Sequence, residues 1–173
     1  MILNGNILFA RLAAVATVAA CATVAGAQEP SSIGEFSDWV AYTYKSKDGP
    51  VCYIVSQPKT SQPNGVSRDP IFFLVTHRPG EKVRNEVNTI IGYPFKKESS
   101  ATVTIGTNSF ELFTSGDGAW SESSARDTAI VAAMKAGQSM TVNGTSWRGT
   151  ATTDSYSLAG VSAAMDKIDT TCQ

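Results

Sequence analysis

The sequence predicts one mainly β domain, an antiparallel β-sandwich or curled sheet with two short helices at one side. Short runs of β-branched and aromatic residues recur along the chain and are separated by turn signals. Strands do not alternate regularly with helices, which argues against a doubly wound parallel sheet. The length of 173 residues corresponds to a single domain.

Residues 1–27 have the pattern of a cleavable signal peptide. Arg11 is the only charged residue before Glu29, and an apolar stretch rich in Ala and Val follows it at 12–24. Small residues at 25–27 supply the motif that a signal peptidase requires, so cleavage is expected at the end of that motif. The apolar stretch is too short to cross a bilayer about 30 Å thick. We therefore expect an exported protein found in the periplasm, at the outer membrane or in the medium.

Cys21 provides an alternative interpretation of the leader. Residues 18–21 loosely resemble a lipoprotein cleavage box, which would leave a lipidated Cys21 at the new N-terminus. In the signal-peptide interpretation, Cys21 is a small apolar residue that leaves with the leader.

The mature chain begins with a polar linker at 28–35, and the predicted domain follows at 36–173. Each predicted strand is a short apolar or alternating run bounded by Gly, Pro, Asn or Asp. The predicted strands are 36–44, 51–55, 71–76, 83–93, 102–105, 110–113, 140–142 and 147–155. Two segments have apolar residues at helical spacing, 124–136 and 157–168.

Charge and composition exclude some classes of partner. The formal net charge is −1, and Lys and Arg do not cluster, so neither nucleic acid nor an anionic membrane surface is expected as a partner. No later apolar stretch reaches the length of a transmembrane helix, so we expect no transmembrane segment.

Two cysteines, Cys52 and Cys172, remain after removal of the leader. An even pair in an exported protein is most simply a disulfide, and the alternative is two unrelated thiols. A bridge across about 120 residues would close nearly the whole domain.

The sequence offers no catalytic set and no cofactor or metal site. His77 is the only histidine, so a histidine-rich metal site is impossible and any Ser-His-acid triad would need His77 as its base. No nucleophile elbow is present, and residues 144–150 lack the lysine of a phosphate-binding loop. We therefore expect a protein that is not an enzyme.

The candidate interaction surface centres on the predicted strand 83–93. Lys82, Arg84 and Glu86 alternate, which places them on one face of a strand, and Arg78 extends the patch. The alternative is a solvated face with cross-strand ion pairs. The full candidate set is His77, Arg78, Lys82, Arg84, Glu86 and Trp147, the last as an aromatic anchor. Trp39 and Trp120 are further candidate anchors, and burial in the core is the alternative for all three tryptophans.

Several motifs resemble those of the invasion-associated locus B family. The resemblance begins with the sequence CYIVSQPK and covers about residues 36–172. Its motifs lie at 52–59, 73–79, 82–87, 92–95, 112–114 with 116–117, 119–120, 133–137, 144–146 with 148–150, 153–160 and 172. Trp147 occupies a position at which the resemblance leads us to expect a small residue.

The resemblance implies an exported protein of alphaproteobacteria with no known enzymatic activity. It supports the pairing of Cys52 with Cys172, and it implies participation in host-cell association or invasion. We expect a non-enzymatic envelope or secreted protein that acts on an unidentified protein partner of the host cell or the envelope. Two alternatives stay open: a periplasmic hydrolase or small-ligand-binding protein with a site near His77, and a structural or stress-related envelope protein.

Overall fold

The computed structural model describes residues 29–173. The predicted signal peptide at 1–27 and the alternative lipidation site at Cys21 lie outside the described residues. Eleven strands, two α-helices and one short 3-10 helix, Pro79–Glu81, make up the described part of the chain. The strands are β1 (Ser31–Phe36), β2 (Trp39–Ser46), β3 (Gly49–Ser56), β4 (Thr60–Gln62), β5 (Phe72–Arg78), β6 (Val83–Ile90), β7 (Ser100–Ile105), β8 (Asn108–Ser115), β9 (Gly118–Trp120), β10 (Ser139–Thr145) and β11 (Ala151–Ser157). The helices are α1 (Ser124–Ala136) and α2 (Val161–Thr171).

All the strands join one antiparallel sheet in the order β1-β2-β3-β5-β6-β9-β8-β7-β10-β11-β4. The sheet curls over on itself, because strands far apart in this order lie in contact. The Trp39 indole N–H on β2 donates to Ser157 O on β11 (3.1 Å), and the Asp38 N–H just before β2 donates to Ala159 O just after β11 (3.3 Å). The Phe73 ring on β5 contacts the Tyr156 ring on β11, with 5.8 Å between centroids.

The concave side of the curled sheet holds the core. Along β5, Phe73, Val75 and His77 are buried, while the alternate residues are partly exposed, as expected for a strand with one covered face. Phe73 also packs edge-on against Trp39 at 6.4 Å. The Tyr156 hydroxyl is buried without a hydrogen-bond partner among the described residues, and burial raises the pKa of Tyr156. The core is mainly apolar, and its buried polar side chains include Thr152 and Asp154 on β11.

The helix α1 packs on β6 and begins with a conventional side-chain cap. The Ser123 hydroxyl accepts the backbone N–H of Arg126 (3.3 Å), which satisfies one free donor of the first turn. One turn later, the buried Asp127 carboxylate accepts the backbone N–H of Val87 (2.8 Å). This bond fixes the start of α1 on the sheet.

The helix α2 begins after Gly160, whose φ of +89° is a left-handed conformation. A Cβ at this position would lie 1.9 Å from Phe36 O, so only glycine fits. The buried face of α2 consists of Val161, Ala164, Met165 and Ile168. The helix therefore covers the β1–β3 end of the sheet.

Cys52 and Cys172 form a disulfide, with their Cα atoms 6.0 Å apart. Both cysteines are fully buried, and the bond links β3 to the residue that follows α2. The C-terminal helix is thus attached covalently to the N-terminal half of the sheet.

The structure confirms the predicted mainly antiparallel β class, the two helices and the single domain. It contains one continuous curled sheet. The prediction of a linker at 28–35 was wrong, because this segment contains most of β1. The predicted strand 147–155 is shifted, since β11 begins at Ala151, and the predicted helix 157–168 is replaced by Val161–Thr171.

Within residues 29–173, no helix is both long and apolar enough to span a membrane.

Replacement of both cysteines by serine (Cys52→Ser with Cys172→Ser) tests the contribution of the disulfide. The disulfide joins two residues that are 120 positions apart in the sequence. Its loss should lower the free energy of unfolding by about 4–5 kcal/mol, because the unfolded chain regains the entropy of an open loop. Urea unfolding of both proteins measures the difference, and wild type in reductant is the control. Equal stability of wild type and the double variant would contradict the prediction.

Candidate functional site

His77 does not belong to the molecular surface, which corrects its placement in the predicted interaction surface. Its exposed fraction is 0%. Its Nδ1 accepts the backbone N–H of Asn85 (3.1 Å), so the proton resides on Nε2, which lies 2.9 Å from an Asp169 carboxylate oxygen. Both ring nitrogens are therefore engaged in holding β6 and α2 against β5. A site near His77 would have no access to this imidazole.

The predicted charged patch is partly engaged in ion pairs. Arg78 and Glu86 form two hydrogen bonds across β5 and β6, at 2.9 and 2.7 Å, and the carboxylate of Glu86 raises the pKa of Arg78. Arg84 turns toward α2, where it lies 3.5 Å from Asp169 and 3.4 Å from Cys172 O. Arg84 thus points away from the face on which the sequence places it with Glu86. The change of direction arises at Asn85, whose φ of +59° interrupts the strand alternation that the sequence predicts.

Lys82, Arg84 and Glu86 nevertheless border one shallow depression of about 290 Å³. Its aromatic component is Phe113, which is 50% exposed and stacks on Trp120 with 5.9 Å between ring centroids. A Cβ at position 118 would lie 2.4 Å from the Trp120 ring, so Gly118 allows Trp120 to lie flat on β9. We call this region the Phe113 surface and define it by Lys82, Arg84, Glu86, Phe113, Trp120 and Glu122.

Asp127 lines the same depression where α1 begins. Burial raises the pKa of its carboxyl, while hydrogen bonds from the Ser121 hydroxyl and the Val87 N–H act in the opposite direction. Because Asp127 accepts these bonds, it holds α1 and the loop before it beside the Phe113 surface.

Trp147 lies at the opposite end of β6 from Lys82 and belongs to a second depression. It is 59% exposed, and the guanidinium of Arg148 lies 4.8 Å from the centroid of its ring. The turn that carries it is fixed by a bond from the Trp147 N–H to Pro94 O (2.9 Å) and one from the Gly149 N–H to Ser146 O (2.7 Å). The aromatic anchor predicted at Trp147 is thus exposed on an ordered turn, whereas Trp39 is fully buried.

The second depression, which we call the Trp147 pocket, has a volume of about 330 Å³. Its lining residues are Val66, Ser67, Arg68, Tyr93, Ser146, Trp147, Arg148, Thr150 and Thr152. Trp147, Arg148 and Val66 form its exposed rim, and Arg68 lies at its base.

A buried ion pair forms the base of the Trp147 pocket. The Arg68 guanidinium donates two hydrogen bonds to the Asp154 carboxylate, at 2.8 and 2.6 Å, and two to Ile91 O, at 3.0 and 2.7 Å. It also lies 4.9 Å from the Tyr93 ring centroid, and the Tyr93 hydroxyl bonds the Thr152 hydroxyl. The loop between β4 and β5 is thereby fixed to β11.

No sequence pattern identified Arg68, Asp154, Tyr93 or Phe113 as site residues. Arg68 is located in a loop rich in Pro, Asn and Gly, outside every motif of the resemblance. Asp154 lies within the motif at 153–160, but the sequence indicates no role for it. Their pairing spans 86 residues and depends on the curl of the sheet. The stacked pair of Phe113 and Trp120 could be recognised only from the register of β8 and β9, which places the two residues opposite each other.

No group of three His, Cys, Asp or Glu side chains within residues 29–173 is arranged to hold a metal ion. The two depressions contain aromatic rings, hydroxyls and paired or free guanidinium groups. This chemistry is suited to binding through stacking, hydrogen bonds and charge.

The fold and the two depressions define a small disulfide-bonded β protein with exposed aromatic side chains at its surface. Residues 39–169 match the model of a family described as Invasion associated locus B (IalB) protein. The chain therefore belongs to the IalB family, which confirms the resemblance found in its sequence.

A solved structure supports the fold. The crystal structure of invasion associated protein b from Bartonella henselae matches 80% of this chain and 96% of that chain, with a TM-score of 0.54 and 13% sequence identity. At this identity the likeness concerns the fold alone. The comparison with curated proteins gave no match.

An Asp127→Asn substitution tests the cost of the buried carboxyl. The pKa of Asp127 is raised above 3.8 in the folded protein, so its contribution to stability is complete at low pH and declines as pH rises through the raised value. The Asn side chain does not titrate but can still accept the Val87 N–H. Relative to this variant, the wild type should gain free energy of unfolding between about pH 7 and about pH 4. Urea unfolding at both pH values measures the difference, and a constant or falling difference on acidification would contradict the prediction.

The buried pair Arg68–Asp154 can be tested by single and double substitution. Asp154→Val leaves the Arg68 charge buried without its carboxylate and should cost about 3–5 kcal/mol of unfolding free energy. The double variant Arg68→Met with Asp154→Val should be more stable than the single variant Asp154→Val, because no unpaired charge remains.

Urea unfolding of the wild type, both single variants and the double variant gives the coupling energy between the two side chains. Additive losses would show that the two charges do not depend on each other.

Proposed function

We propose that this protein is an exported envelope or secreted protein that acts by binding a protein partner through the Phe113 surface, and not by catalysis. The supporting observation is the half-exposed Phe113 ring, stacked on Trp120 and bordered by Lys82, Arg84 and Glu86. The sequence pattern of a signal peptide and the disulfide, which is typical of oxidising compartments, support export.

The physical argument starts from the exposed aromatic area. An exposed large apolar ring gains free energy when a partner removes it from water, by roughly 25 cal/mol per Å² of apolar area. Stacking on Trp120 limits the rotation of Phe113, so little side-chain entropy is lost on binding. An aromatic centre with a charged border is the usual composition of protein interfaces, in which a few aromatic and arginine residues provide most of the affinity.

The charges at the border favour a protein partner with both acidic and basic groups. Lys82 offers positive charge and Glu122 negative charge, whereas Arg84 lies 3.5 Å from Asp169 and Glu86 is paired with Arg78. Such a mixed arrangement selects a partner of matching pattern and increases the rate of association.

Membership of a family named for invasion supports a role in association with host cells, and the matched Bartonella henselae protein has the same designation. Within this proposal, the partner is a surface protein of the host cell or a protein of the bacterial envelope. The buried position of His77, with both ring nitrogens bonded, supports binding over hydrolysis as the mode of action.

Site-specific photo-crosslinking of the tagged, exported protein tests this proposal. A photoreactive residue at position 113 should capture a defined partner from the envelope or from host cells, whereas the same residue at position 147 should not capture it. Mass spectrometry identifies the partner, and purified partner is then titrated with the protein.

In the titration, Phe113→Ala should weaken binding by about 2 kcal/mol, or roughly 30-fold, as expected for an aromatic hot spot. Lys82→Glu with Arg84→Glu should slow association. Trp147→Ala is the matched control, because it removes an exposed aromatic ring from the other surface, and it should bind normally. Equal capture from both positions, or no partner in any compartment, would overturn the proposal.

A further inference from the structure

We propose that the Trp147 pocket is a binding site for an acidic saccharide, a sugar ring that carries a carboxylate. The pocket shares no lining residue with the Phe113 surface, so this site is independent of the protein partner proposed above. Three properties of the pocket together specify this class of ligand: an indole that is more than half exposed, a guanidinium without an ion-pair partner among the described residues, and exposed hydroxyl groups.

The indole supplies the surface for the sugar ring. Trp147 is 59% exposed, and its turn is fixed by three backbone bonds, including one from the Ser146 N–H to Thr150 O (2.9 Å). A pyranose ring has one face of C–H groups that is apolar and slightly electropositive. Such a face packs favourably on the electron-rich face of an aromatic ring. The pocket therefore presents a fixed platform of suitable polarity.

The charge of the pocket favours an anionic ligand. Arg68 is neutralised by Asp154 at the base, whereas no carboxylate of residues 29–173 forms an ion pair with Arg148. The described lining thus carries one uncompensated positive charge, at the rim beside the indole. A guanidinium binds a carboxylate through two parallel hydrogen bonds, which gives orientation as well as affinity.

The hydroxyl groups suit the edge of a sugar. Ser67 and Thr150 are exposed in the lining of the pocket, and a hydroxyl can both donate and accept, as sugar hydroxyls do. A purely apolar ligand would remove these hydroxyls and Arg148 from water without pairing them, which costs free energy. A small inorganic anion would make no use of the indole.

The pocket is also of suitable size and is already formed. Its volume of about 330 Å³ lies near the lower end of the range for small-ligand sites, roughly 300–1,000 Å³. The Arg68–Asp154 pair and the bonds to Ile91 O fix its base, so binding need not order it. Preorganisation of this kind lowers the free-energy cost of binding.

The test uses the full mature chain in two steps. A glycan array with acidic oligosaccharides and their neutral counterparts identifies ligands, and calorimetric titration then measures binding of the acidic saccharides that are retained. The expected result is retention of acidic members only, with a dissociation constant of about 1 mM or tighter for the best of them.

Substitutions assign the binding to the pocket. Trp147→Ala should weaken binding at least about 10-fold, and Trp147→Phe, which keeps a ring, should retain most of it. Arg148→Gln should abolish the preference for acidic over neutral saccharides. Phe113→Ala is the matched control and should bind the saccharide as the wild type does.

Three results would overturn the inference: no acidic saccharide retained on the array, binding that is unaffected by Trp147→Ala, or equal competition by sodium sulfate, which would indicate binding of any anion. None of these results bears on capture of a protein partner at position 113, so the two proposals fail separately.

Discussion

The fold depends on one constraint: a single eleven-stranded sheet has to bury the apolar face that its own strands create. It does so by curling until β11 meets β2 and β5, where Trp39, Phe73 and Tyr156 pack together. Antiparallel neighbours provide the backbone hydrogen bonds along the sheet, while the curl itself is held by side chains and by bonds between distant strands. The helix α2 and the disulfide then cover and fix the β1–β3 end of the sheet, while α1 packs on β6.

The curl also explains why charged and polar groups occur inside the domain. Where β11 turns inward, it brings Asp154 to the inner side, and the loop before β5 supplies Arg68 as its counter-charge. Burial of two charges is costly unless each is paired and bonded. The fourfold bonding of Arg68 to Asp154 and Ile91 meets this condition. The pair specifies one position for a long loop, and that loop in turn shapes the Trp147 pocket.

The two candidate surfaces lie at opposite ends of β6 and differ in chemistry. The Phe113 surface combines stacked aromatic rings with charges of both signs, whereas the Trp147 pocket combines an indole, a free guanidinium and hydroxyls. Hydrogen bonds hold the elements that carry both surfaces. Asp127 holds α1 beside the Phe113 surface, and the Pro94 carbonyl holds the turn of the Trp147 pocket.

The sequence by itself determined the class of fold, the family, the helix Ser124–Ala136 and the pairing of its two mature cysteines as the simplest arrangement. These features follow from local patterns: alternation of polar and apolar residues, capping groups and motif spacing. It included Trp147 among the candidate surface residues, and this side chain is exposed, but it placed His77 on a surface from which the structure removes it. Tertiary structure alone decided the curl, the Arg68–Asp154 pair, the reversal of Arg84 at Asn85 and the start of α2 at Val161. The physical reason is that each of these depends on contacts between residues far apart in the chain, such as Phe36 O against Gly160, which no local pattern records.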